Sequence, residues 1–176
     1  TARSYGPGYC EEIIAQAFHP YPDDLVVATK VGVEKPERDV IFPDGSPAAI
    51  LRGVRESLAR LRRERIDLVY LHRPDPAVPF EESIGALARL RDEGVIGHIG
   101  VSNVDADQLA RARSVTEIAA VQNRYSLGDR SDEPMVDSVA ATGTLYVPYG
   151  PLGAPTGHEA MEAIAHSGCN AVNRTV

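Results

Sequence analysis

Five apolar runs in this chain each end on a polar residue able to do chemistry. Leu25-Val26-Val27-Ala28-Thr29 leads to Lys30, and Asp67-Leu68-Val69-Tyr70-Leu71 leads to His72. Ile99-Gly100-Val101 leads to Ser102 and Asn103, Ile118 to Val121 leads to Gln122, and Leu145 to Pro148 leads to Tyr149. An amine, an imidazole and a phenol are groups that move protons, and hydroxyls and amides hold polar ligands by hydrogen bonds. Taken singly, each has a bland role: solvated strand-end lysine, structural histidine, capping amide. Their succession is what points to an enzyme.

Helical patterns fill the gaps between the runs. Strands that alternate with helices build parallel sheets, whose reactive groups collect at the carboxyl ends of the strands. The fold class expected is α/β, of the barrel or doubly wound type. In order, the chain reads as a helix over Glu11–Phe18 and a strand over Leu25–Val31. A long Pro- and Asp-rich loop over 32–47 follows, then a helix from Ser46-Pro47 to Arg63 with Ser at its N-cap. Strand 68–71, helix 81–93 closed by Gly94, strand 98–101 and helix 105–113 come next. Strand 118–122, helix 132–142, strand 145–148 and a last helix over 158–165 complete a count of five strands and six helices. A closed eight-stranded barrel takes about 250 residues, so two or three strands are short.

At 176 residues the chain is expected to form a single domain, and its 43% hydrophobic and 24% charged content is ordinary for a globular protein. A net charge of -7 argues against a surface dedicated to nucleic acid or membrane. The six arginines between Arg52 and Arg65 alternate with Leu51, Val54, Leu58 and Leu61, which reads as the solvated face of an amphipathic helix. Cys10 and Cys169 stand far apart, so no disulfide framework or metal site is expected, and a reducing cytoplasm is the default location. No run is long enough to span a membrane. Gly6-Pro7-Gly8 is half of a dinucleotide-binding glycine fingerprint, with Glu11 where the third glycine belongs, which disfavours a doubly wound cofactor site.

The local strings carry a further signal. Thr1-Ala2-Arg3-Ser4-Tyr5-Gly6-Pro7-Gly8, Ala28-Thr29-Lys30-Val31-Gly32, Leu71-His72-Arg73-Pro74-Asp75, Ile99-Gly100-Val101-Ser102-Asn103, Val121-Gln122-Asn123 and Val147-Pro148-Tyr149-Gly150-Pro151-Leu152-Gly153 together resemble the aldo-keto reductase family. The likeness covers residues 1 to 153 and follows the family's order. It implies an incomplete (β/α)8 barrel lacking the first one to two strands and the last. It also implies NADPH-dependent reduction of an aldehyde or ketone, a small-molecule carbonyl substrate.

Under the resemblance Tyr5 is the general acid, Lys30 depresses the phenol's pKa, and His72 aligns the carbonyl. Ser102, Asn103 and Gln122 hydrogen-bond the nicotinamide carboxamide, Tyr149 stacks on its ring, and Gly150, Pro151 and Leu152 lie along the ribose and phosphates of NADPH/NADP. The family's fourth catalytic group, an Asp that pairs with the lysine, falls ahead of Thr1 and is not in this chain. Arg174 has no motif that assigns it to the adenosine phosphate. Impaired turnover is therefore expected, and the alternative is a catalytically inactive remnant or cofactor-binding scaffold. A less favoured reading is a barrel aldolase using Lys30 as a Schiff-base amine. The 32–46 loop, with Phe42, is the candidate for contact with substrate.

Overall fold

The computed structural model describes residues 1–37, 39–126 and 128–151. The expected last helix, Leu152, Cys169 and Arg174 lie outside the described residues. The chain divides into two compact units, Thr1–Ala119 and one beginning at Ala120.

In the first unit, α1 (Tyr9–Phe18) follows the turn that carries Tyr5, and β1 (Ala28–Val31) comes next. β1 is shorter than the run that announces it, and Val26, just before it, is exposed. The segment expected to be a loop is a two-stranded antiparallel hairpin, β2 (Val33–Glu37) and β3 (Val40–Pro43), a correction to the composition-based reading. The β-branched Val33, Val40 and Ile41 favour strands. Pro36, which pointed to a loop, sits where the register shifts between Glu34 and Glu37, a place that tolerates a residue without an amide hydrogen.

α2 (Pro47–Leu61) begins as the sequence indicates: Ser46 Oγ accepts from the amide of Ala49, and proline takes the first helical position. β4 (Ile66–Leu71), α3 (Phe80–Asp92), β5 (Ile96–Ser102) and α4 (Ala106–Val115) complete the unit. α3 is followed by Gly94 at φ 78°, the left-handed backbone that glycine accepts without strain. α4 opens on a reciprocal cap, with Asp105 accepting from the amide of Gln108 and Gln108 accepting from that of Asp105.

β1 pairs parallel with β4, and β4 with β5, so Ala28, Leu68 and His98 lie in register, as do Lys30, Tyr70 and Gly100. The core forms where helices pack on these strands: Ile50, Val54 and Leu61 of α2 and Ile84, Leu87 and Leu90 of α3 are buried, as are Ile66, Val69, Ile96 and Ile99. Gly100 is required by a close approach. A Cβ there would stand 2.4 Å from Cδ1 of Tyr70, whose ring fills the space.

One buried carboxylate ties three elements together. Glu11 of α1 is fully buried; it accepts from Thr29 Oγ1 of β1 at 2.5 Å and from Arg60 Nε of α2 at 2.7 Å. Arg3 pairs with both Glu34 and Glu56, and Arg63 pairs with Asp67. The arginine-rich stretch from Arg52 to Arg65 is thus only partly the solvated surface expected, because Arg60 of α2 and Arg63 just past its end are half-buried in ion pairs.

In the second unit β6 (Ala120–Gln122) and β7 (Leu145–Tyr146) pair parallel, with α5 (Glu133–Ala140) between them in sequence. Asp132 accepts from Tyr146 Oη and Asn123 Nδ2, at 2.6 and 2.9 Å. Burial and that contact push the Tyr146 phenol far up. No helix among the described residues is long and apolar enough to cross a membrane.

Candidate active site

Three of the residues singled out in the sequence meet in the first unit. Lys30 lies within β1 and is 7% exposed; its Nζ sits 5.0 Å from the centre of the Tyr5 ring and donates to the Thr1 carbonyl at 2.8 Å. The ring of His72, one residue past β4, meets the Tyr5 ring edge-on at 5.8 Å. Parallel pairing explains the convergence. The His72 amide donates to the Val31 carbonyl, and the Arg3 amide to the Lys30 carbonyl, so the Tyr5 turn and the end of β4 are both pinned to β1.

Burial shapes the electrostatics. It lowers the Lys30 ammonium to about 8. Burial first, then the charges of Lys30 and Arg73, push the His72 imidazole down to about 4, so the ring is neutral at pH 7. His72 Nδ1 faces Ser4 Oγ at 3.5 Å. Tyr5 itself is 45% exposed, His72 is half-buried and Lys30 is buried.

Ser102 ends β5 and is buried; Asn103 follows it at φ 57°, a left-handed conformation that asparagine tolerates better than other side chains. Asn103 Nδ2 donates to the His72 carbonyl at 2.9 Å and to Ser102 Oγ at 3.1 Å. That amide therefore links the ends of β4 and β5.

In the second unit Gln122 ends β6, and its side-chain amide has no hydrogen-bond partner among the described residues. The Tyr149 amide donates to the Asn123 carbonyl at 3.0 Å, with Gly150 at φ 63° and Pro151 after it. At the end of β5 a buried hydroxyl and the neighbouring amide, Ser102 and Asn103, offer donor and acceptor groups of the kind that a carboxamide needs.

Sequence reasoning missed Ser4, Glu11 and Arg60 as part of the surroundings. Ser4 is buried beside His72 although it is only the neighbour of Tyr5 in the chain. Glu11 signalled itself only as a residue that spoiled a glycine motif; an acidic residue two positions from an apolar helix face, with a long arginine-rich helix elsewhere, was the available hint.

The model of the aldo/keto reductase family matches residues 1–169. The chain is 38% identical over 160 residues to pyridoxine 4-dehydrogenase of Escherichia coli, a match covering 87% of this chain and 56% of that protein. It is 36% identical over 155 residues to a probable aldo-keto reductase of Glycine max, covering 87% and 45%. Among solved structures, glycerol dehydrogenase of Gluconobacter oxydans superposes with a TM-score of 0.80 at 36% identity, over 85% of this chain and 47% of the other. An aldo-keto reductase of Bacillus halodurans in its holo form gives 0.75 at 30% identity, over 84% and 50%. The chain spans about half the length of the relatives it matches. Parallel strands alternating with helices, shared with these neighbours, are those of an incomplete (β/α)8 barrel, the fold class the sequence implied. On the family model and on this likeness in sequence and fold, the chain belongs to the aldo/keto reductase family.

Proposed function

We propose that this protein reduces an aldehyde or ketone to an alcohol with NADPH. The observation that carries the reading is the meeting of Tyr5, Lys30 and His72, drawn from three separate segments. Bound NADPH supplies a hydride, which adds two electrons and one hydrogen to the carbonyl carbon. The other hydrogen arrives as a proton from the Tyr5 hydroxyl on the carbonyl oxygen, so the product is a neutral alcohol and the phenolate is reprotonated from solvent.

Each partner has a role suited to its environment. The Lys30 ammonium, close to the Tyr5 ring, stabilises the phenolate as the proton leaves. His72, neutral at pH 7, can accept from Ser4 at Nδ1 and donate from Nε2 to the carbonyl oxygen, holding it for attack. Ser102 and Asn103, and from the second unit Gln122, are assigned to the carboxamide. Tyr149 is assigned to the ring, and Gly150 and Pro151 to the ribose and phosphates. Leu152, expected to join them, lies outside the described residues. The location proposed is the cytoplasm, on the two widely separated cysteines of the sequence.

Fluorescence titration with NADPH, followed by aldehyde-dependent oxidation of the cofactor, tests the reading. Saturable binding weakened by Tyr149→Ala, with turnover lost in Tyr5→Phe, is the expected result. Binding without turnover in the unsubstituted chain overturns the reductase and leaves a cofactor-binding scaffold. An amine trapped by borohydride on Lys30 with a carbonyl compound would point to aldolase chemistry instead.

A further inference from the structure

We infer that Arg73 selects carbonyl substrates that carry a carboxylate or phosphate near the carbonyl, an inference that rests on the reductase reading above. A cavity of about 910 Å³ opens at the residue after His72, walled by residues 73–80 and bounded by Asn103, Gln108 and Arg111.

Nearly every polar side chain in its wall is already engaged. Asp75 accepts from the amides of Gly45 and Ala77, each at 2.9 Å. Arg111 donates twice to Glu81, at 2.6 and 2.8 Å, which neutralises its charge. Gln108 accepts from the Asp105 amide at 3.0 Å, and Asn103 donates to the His72 carbonyl. Arg73 differs: its side chain is exposed and has no hydrogen-bond or ion-pair partner among the described residues.

The position of that guanidinium is suited to an anion. Its charge reaches His72, and the other side-chain charge acting on that ring is the cationic Lys30. A cationic side chain therefore borders the cavity one residue past His72, in a chain whose net charge is -7. Pro74, Pro76 and Pro79 restrict the backbone of the wall, and Asp75 fastens it to Gly45, so the arginine stands on a stiff base. A planar fork of N–H donors matches a carboxylate or phosphate by two parallel bonds, a geometry that an ammonium cannot offer.

The test compares 4-carboxybenzaldehyde with 4-methylbenzaldehyde, in the full chain and in Arg73→Gln and Arg73→Lys, alongside a titration of each with NADPH. In Arg73→Gln, kcat/KM for the carboxylate substrate should fall about tenfold, chiefly through KM. The neutral aldehyde and NADPH affinity should stay within about twofold, with Arg73→Lys intermediate. Equal losses for both aldehydes with weaker NADPH binding would assign the guanidinium to the cofactor's phosphates and overturn the inference. No change for either aldehyde in Arg73→Gln also overturns it. If the unsubstituted chain reduces neither aldehyde, the reductase reading fails first, and the neutral substrate identifies that cause.

Discussion

The ammonium of Lys30 lies 5.0 Å above the centre of the Tyr5 ring while its own hydrogen-bond donor is directed to the Thr1 carbonyl. A cation in that place stabilises negative charge on the phenol without consuming it in a direct pair. Because burial lowers Lys30 to about 8, that cation is present at neutral pH and is lost in the mildly alkaline range.

Turnover should therefore fall as pH rises through about 8, as Lys30 loses its proton. Lys30→Met should remove this inflection and lower kcat by about a hundredfold. A pH–rate profile of the two proteins, with folding verified by circular dichroism, is the measurement. An unchanged inflection in Lys30→Met would assign it to another group.

His72 gives a prediction on stability. Its imidazole falls from about 6.5 in the unfolded chain to about 4 in the folded one, so between those values the unfolded state binds more protons. Stability should then drop as pH falls from about 6.5 to about 4. His72→Asn should flatten that part of the curve. Denaturant midpoints at several acidic pH values decide the matter.

Breaking the buried ion pair should be costly. Glu11→Gln takes away the 2.7 Å partner of the half-buried Arg60 and leaves it only the longer contact to Glu56 at 3.7 Å, and about 2–4 kcal/mol of stability should be lost. Glu11→Gln combined with Arg60→Met should recover part of it, since the stranded charge is then gone. Urea unfolding of the single and double variants measures the coupling, and simple additivity would argue that the pair is not coupled.

Gly100→Ala should destabilise by about 1–3 kcal/mol, because the new methyl overlaps the Tyr70 ring. Tyr70→Leu in the same chain should relieve the overlap and give back part of the loss. Thermal unfolding of the four proteins in that cycle is sufficient, and a Gly100→Ala midpoint equal to that of the parent would contradict the packing described.

Much of the fold was legible because its signals are local. Ser46-Pro47 marks a helix start by its own chemistry, Gly94 marks an end, and the Asp105 cap lies three residues from its partner. Strand ends were legible too, since Lys30, His72, Ser102 and Gln122 stand where apolar runs stop. The hairpin over 33–43 was not, because Pro36 and its charged neighbours outweighed Val33, Val40 and Ile41 in the composition. The surroundings of the candidate site were hidden for another reason. Glu11 and Arg60 are 49 residues apart, and nothing local tells an arginine on a solvated face from one that will meet a buried carboxylate.

That carboxylate also bears on the order in which the unit assembles. Helix α1 cannot seat Glu11 against Thr29 at low cost until α2 brings Arg60 to the same point, because an unpaired carboxylate in that position is strongly disfavoured. Docking of α1 on β1 and docking of α2 are thereby made to happen together, and partly assembled forms with only one helix in place are suppressed. The cooperativity of this part of the chain resides in one polar side chain as much as in its apolar core.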